Sequence, residues 1–178
     1  MANSIITKHV LANALKDLME EKSFSKISVA DICEKCGMDR KSFYYHFRDK
    51  YDLVNWIFDV EFIEVMLKKA PADNKDILTN LSFYFYENHS FYRKALSVTG
   101  QNSFSDHFRE LCYNAIRSRL QEINGSENMT DFQINFFSDA ILMAFQRWIM
   151  EKDCMKPEEF IAQINACEEL IAAWHQEA

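Results

Sequence analysis

Glycine and proline punctuate this chain only five times in 178 residues, at Gly37, Pro71, Gly100, Gly125 and Pro157. Turns recruit both residue types and sheet-rich folds need many turns, so such sparse punctuation favours long helices. All five sit at the edges of segments whose apolar residues recur at helical spacing. The pattern predicts an all-α chain of about nine helices.

The first helix, over 4–22, gathers Leu11, Ala14, Leu15 and Leu18 on one stripe, with Lys8, Asn13, Asp17 and Glu20 away from it. A second starts at Ser28, where Ser28 and Asp31 form an S-x-x-D variant of the capping box, and presents Val29, Ile32, Cys33 and Cys36 at one face. A short third helix follows Gly37 and runs to Phe47. Asp49 then caps a long fourth helix that turns Leu53, Trp56, Ile57, Val60, Ile63 and Leu67 inward. Further helices are expected over 74–88, 90–98 and 103–123. Thr130 and Gln133 open an eighth through a T-x-x-Q box, and its apolar surface, from Phe132 to Ile149, is wider than one neighbour covers. Pro157 begins the last, with Phe160, Ile164, Cys167, Ile171 and Trp174 at four-and-three spacing.

The net charge of −7 is unevenly spread. Residues 1–50 hold nine Lys/Arg against seven Asp/Glu, and the rest holds eleven against twenty. A local basic face can meet phosphate while an acidic body keeps the protein soluble. The amino-terminal segment lacks a long uncharged apolar run, so neither signal peptide nor membrane span is expected, and five scattered cysteines fit a reducing compartment. A cytoplasmic location follows as the expectation.

Two short helices joined at Gly37, braced by the first, make a helix-turn-helix arrangement. In the third helix a 100° step sends Phe43 and Phe47 to one side, against Leu15, Val29 and Ile32. The opposite side belongs to Lys41, Ser42 and Tyr45, flanked by Arg40, Tyr44 and His46. Arg40 or Lys41 can reach the O6 and N7 of guanine; Tyr44, Tyr45, His46 and the first-turn Lys50 suit phosphate oxygens. Ser28 can add its hydroxyl and nearby amides at a helix N-terminus. Residues 1–50 are thus expected to form the DNA-binding domain, and 51–178 a helical effector and dimerisation domain, with the fourth helix as the shaft between them.

The segment ISVADICEKCGMDRKSFYYHFRDKYDLVNWIF resembles the TetR family of bacterial transcriptional regulators, on Gly37, Asp39, Phe43, Tyr44, Phe47, Lys50 and Leu53. SIITKHVLANALKDLM, FYRKALSVTGQNSFSDHF and RWIMEKDCMKPEEF are similar to a branch that regulates dihydroxyacetone kinase operons. The resemblance implies an all-helical homodimer joined through the last two helices, operator DNA as partner, and a body that takes a small-molecule effector or a partner protein. A co-activator with weak DNA binding of its own is the alternative reading.

Other chemistries find little support. The Cys33–Cys36 pair has no second pair to complete a zinc site and lies on an apolar stripe. The five histidines form no ligand motif, and no nucleophile elbow or phosphate-binding glycine loop occurs, so no enzyme, metal or cofactor is expected. The aromatic run over 81–96 reads mainly as core, with an effector pocket as the rival reading. The wide apolar surface of the eighth helix reads as subunit interface.

Overall fold

The computed structural model of this chain describes residues 2–68, 77–98, 103–124 and 130–174. Among them all regular structure is helical: α1 (Ala2–Glu21), α2 (Val29–Cys36), α3 (Arg40–His46), α4 (Lys50–Phe58), α5 (Glu64–Lys68), α6 (Ile77–Glu87), α7 (His89–Leu96), α8 (Phe104–Asn124), α9 (Asp131–Met150) and α10 (Pro157–Trp174). A π-helical turn, Asp59–Ile63, joins α4 to α5 without a break, so the two form one shaft. Counted that way, the described helices number nine, as expected. The π turn itself was not foreseen, because its wider winding has no apolar signature of its own. Pro71, Gly100 and Gly125 lie outside the described residues, as do the side chains of Leu67, Ile171 and Trp174.

The caps follow local chemistry. Ser28 Oγ accepts from the Asp31 amide at 3.2 Å while the Ser28 amide donates to Asp31 Oδ2 at 2.7 Å, and Thr130 and Gln133 reproduce the same reciprocal pair. Asp49 accepts from the amides of Tyr51 and Asp52 to start the shaft.

One apolar core runs from Leu11 and Leu15 on α1, through Phe43 and Phe47, along Leu53, Ile57, Phe58 and Phe62 of the shaft, to Phe85, Phe108, Phe145 and Phe160. Phe58 is its hub. Six rings (Phe62, Tyr84, Phe85, Tyr92, Phe104 and Phe108) have centroids 5.3 to 6.0 Å from its own, in the offset and edge-on geometries that aromatic quadrupoles favour. The aromatic run over 81–96 therefore contributes Phe85, Phe91 and Tyr92 to the core, while Phe83 and Tyr86 face outward.

α9 divides its broad apolar surface between two sides. Ile134, Leu142, Phe145, Trp148 and Ile149 are buried within the chain, whereas Phe132, Phe136, Phe137 and Met143 stay exposed, Phe132 at 78%. On α10, Phe160 is buried and stacks on Trp148 at 4.2 Å, but Cys167, expected on the same seam, is exposed.

Polar links tie the amino-terminal unit to the body. Tyr92 and Tyr84 share a hydroxyl hydrogen bond of 2.8 Å, Tyr84 donates to Glu61 at 3.1 Å, and Lys16 of α1 donates to both Glu61 oxygens at 2.5 and 2.6 Å. Burial pushes both tyrosine hydroxyls well above their ordinary pKa, so they stay neutral donors. From α7, Lys94 donates to the Met19 and Glu20 carbonyls at the end of α1. Asp59, also in the π turn, meets His107 of α8 at 2.8 Å.

Candidate nucleic-acid interface

α2 ends at Gly37, whose φ of +68° is left-handed, and the Met38 amide returns to the Cys33 carbonyl at 2.9 Å. That backbone is costly for any residue with a Cβ, which is why glycine serves as the pivot. Two residues later Asp39 caps α3, accepting from the Ser42 amide at 2.6 Å. This bond, above all, holds the Asp39 carboxyl below the usual carboxylate range.

α3 has only seven residues, about 10 Å of helix, and cannot be stable by itself. It is pinned from one side. Phe43 is 0% exposed and Phe47 3%, their rings 5.8 Å apart. The other side is open: Arg40, Lys41, Tyr44 and Tyr45 are all exposed, Tyr45 at 82%. The Tyr45 ring meets the half-buried His46 edge-on at 4.9 Å, and the Arg40 guanidinium lies 5.9 Å from the centre of the Tyr44 ring. Ser42, half-buried, shares a shallow depression with Lys41, Tyr45, His46 and Thr7 of α1. Two phenols and two basic side chains thus share one exposed ridge.

Two expected contacts sit differently. Ser28 is exposed, but its hydroxyl donates to Asp31 Oδ2 at 2.5 Å, and that ionised carboxylate stands at the α2 N-terminus beside Lys22 at 3.1 Å. A phosphate there would meet a carboxylate before it met a free hydroxyl proton. Lys50, expected to meet phosphate oxygens, instead turns into the protein. Its ammonium donates to the carbonyls of Ile27 at 2.6 Å, Phe24 at 2.8 Å and Ser25 at 3.4 Å, and lies 4.6 Å from the Phe24 ring centre. Burial holds its pKa below the ordinary lysine value. Sequence spacing gave no notice of Thr7, which lies off the apolar stripe of α1. Nor did it single out Lys8 as a packing cation, 5.4 Å and 5.6 Å from the ring centres of Phe47 and Trp56.

Cys33 is buried with its thiol toward the Asp39 carbonyl at 3.6 Å, and the Cys36 thiol faces the Cys33 carbonyl at 3.5 Å. Both serve packing at the turn. Among the described residues no three His, Cys, Asp or Glu side chains gather as a metal site would need, and no helix is long and apolar enough to cross a membrane.

A short, pinned helix after a glycine turn, with a preceding helix across it, is a helix-turn-helix, the arrangement of DNA-binding regulators. Residues 11–57 match the profile of bacterial regulatory proteins of the tetR family, and residues 73–167 match that of a transcriptional regulator C-terminal region from the same group. The chain belongs to the TetR family. It is similar to the HTH-type dhaKLM operon transcriptional activator DhaS of Lactococcus lactis subsp. lactis strain IL1403, with 30% identity over 97% of this chain and 88% of the relative. Among solved structures, a dihydroxyacetone kinase operon activator DhaS aligns at a TM-score of 0.67 and 24% identity, covering 95% of this chain and 98% of that one. A TetR transcriptional regulator from Streptococcus agalactiae 2603V aligns at 0.68 and 22%, covering 91% and 93%. Both share the fold.

Proposed function

We propose that the protein is a homodimeric, sequence-specific DNA-binding regulator in which residues 1–50 are the reading head and 51–178 the effector and dimerisation body. α3 enters the major groove; Arg40 and Lys41 read base edges, while Ser42, Tyr44, Tyr45 and His46 hold the backbone, with the α2 N-terminus at Ser28 close to it. The observation that carries this reading is the split of α3 into a buried phenylalanine face and an exposed cation-and-phenol face. An 82% exposed tyrosine on a helix this short is poorly explained by folding alone.

The dimer is supported by the uncovered Phe132, Phe136, Phe137 and Met143 of α9, an apolar surface that a second copy would remove from water. Control by an effector or partner protein is supported by the links from α7 and the π turn into α1, which give the body a hold on the head. The dhaKLM operon activator named above is the reason to test activation as well as repression.

Selection from a pool of random duplexes tests the reading. An enriched inverted repeat is expected, with half-site centres about 34 Å apart or a multiple of that spacing. Recovery of sequences no different from the input pool contradicts it, and sedimentation at micromolar concentration as a single chain contradicts the dimer.

A further inference from the structure

An ammonium has three hydrogens to donate and nothing to accept with. At Lys50 three carbonyls surround Nζ, those of Phe24, Ser25 and Ile27, at 2.8, 3.4 and 2.6 Å. The rings of Phe24 and Tyr51 close over it at 4.6 and 5.6 Å. The three carbonyls belong to one feature, the 3₁₀ turn Phe24–Lys26 and its cap Ile27, which carries the chain from the end of α1 to the start of α2. The turn has few other anchors. Its amino-terminal cap, Ser23, makes no capping side-chain bond; apart from a 3.3 Å contact between the Ser23 and Ser25 hydroxyls and the backbone bonds Lys26 to Ser23 and Ile27 to Phe24, the turn relies on the buried Phe24 and Ile27 side chains. Immediately after Ile27 comes the Ser28–Asp31 capping box that starts α2.

We propose that Lys50 is a positioning residue for DNA binding: an internal staple that fixes the α1–α2 turn, and through it the N-terminus of α2, rather than a contact to the phosphate backbone. This rests on the DNA-binding reading above and assigns one residue within it. The two roles differ in their hydrogens. A phosphate contact needs an ammonium with a free donor in the unbound protein or one that leaves its carbonyls on binding; a staple keeps the same three acceptors in both states. They also differ in electrostatics. Each phosphate neutralised by a lysine steepens the fall of log K with log [salt] by about 0.9, whereas a staple neutralises none.

Full-length Lys50→Met, which keeps the stem and removes the charge, separates them. Expected is a loss of operator affinity of about tenfold, because a turn freed of its staple must be ordered again when duplex binds. The salt slope should be unchanged, and amide exchange over 24–31 in the free protein faster. A slope shallower by about 0.9 with exchange unchanged makes Lys50 a phosphate contact and overturns the proposal. Full affinity in a folded Lys50→Met protein overturns it too. Should that variant fail to fold, nitrogen-15 spectra of the wild-type lysine ammonium groups decide the matter. The staple gives a Lys50 Nζ signal with slowly exchanging protons before and after operator is added; a signal that becomes protected only in the complex overturns it. Lys41→Met is the control for the underlying reading. If Lys41→Met leaves slope and affinity untouched, the DNA-binding face has failed, while the exchange and ammonium data still judge the staple.

Discussion

Phe43 and Tyr45 are two residues apart on the same seven-residue helix, yet their rings lie at opposite extremes of exposure, 0% and 82%. Truncating each to alanine should therefore separate stability from binding. Phe43→Ala removes a fully enclosed ring beside Phe47 and Tyr44 and costs about 3 to 5 kcal/mol, the range for a phenylalanine deleted from a core. For a chain of this length each kcal/mol moves the melting temperature by about 2 to 4 °C, so a fall of about 6 to 20 °C is expected. Tyr45→Ala removes a ring that touches little besides His46, and its stability should stay within about 0.5 kcal/mol of wild type. Operator affinity should behave the other way: well below the melting transition, Tyr45→Ala loses affinity while remaining folded. Thermal melts followed by circular dichroism, paired with a titration of labelled duplex, give both numbers. A Tyr45→Ala melt lowered by as much as that of Phe43→Ala, or a Phe43→Ala melt within a degree of wild type, would refute the two-faced helix.

Lys41→Ala should relax sequence preference at one or two positions per half-site by about 1 to 3 kcal/mol, read as a flattened base preference in competition titrations; a uniform loss on every duplex makes Lys41 a backbone contact instead. Tyr84→Phe deprives the buried Tyr92 hydroxyl of its 2.8 Å partner and should cost about 1 to 3 kcal/mol in denaturant unfolding. The double change with Tyr92→Phe should cost less than the two single changes added, and strict additivity would mean the two hydroxyls are not coupled. Asp31 and Asp39 are both held below the carboxylate range, the first chiefly by the Ser28 hydroxyl and the second by the Ser42 amide. Each thus adds stability that is present above an unfolded pKa of about 3.9 and is lost as pH falls through the lower folded value. Asp39→Asn should be less stable than wild type at neutral pH and converge with it in strong acid; a constant gap at every pH would show that charge is not involved.

How far the sequence foretold this structure depends on the range of the interaction. Gly37, the Ser28–Asp31 and Thr130–Gln133 boxes and the Asp49 cap are signalled within four residues, and each performs the expected local task. The same holds for the opposed faces of α3, because a helical step of 100° fixes them once Phe43 and Phe47 are known to be inside. The inward turn of Lys50 was not legible because its acceptors are backbone carbonyls 23 to 26 residues away, and a carbonyl carries no residue identity to recognise. Ser28 was half legible: its cap was readable, but the competing Asp31 carboxylate was seen only as a capping partner. The π turn and the chain from Tyr92 through Glu61 to Lys16 join four separate segments, and only the packed shaft brings them together.

Hydroxyl-radical footprinting of the full-length protein, free and bound to its selected duplex, reports the side chains themselves. In the free protein Tyr44 and Tyr45 should oxidise rapidly while Phe43 and Phe47 stay protected, and duplex should shield the two tyrosines. Oxidation of Phe43 or Phe47 at the rate of Tyr45, or tyrosines equally reactive with and without bound duplex, would contradict the assignment of α3 as the reading helix.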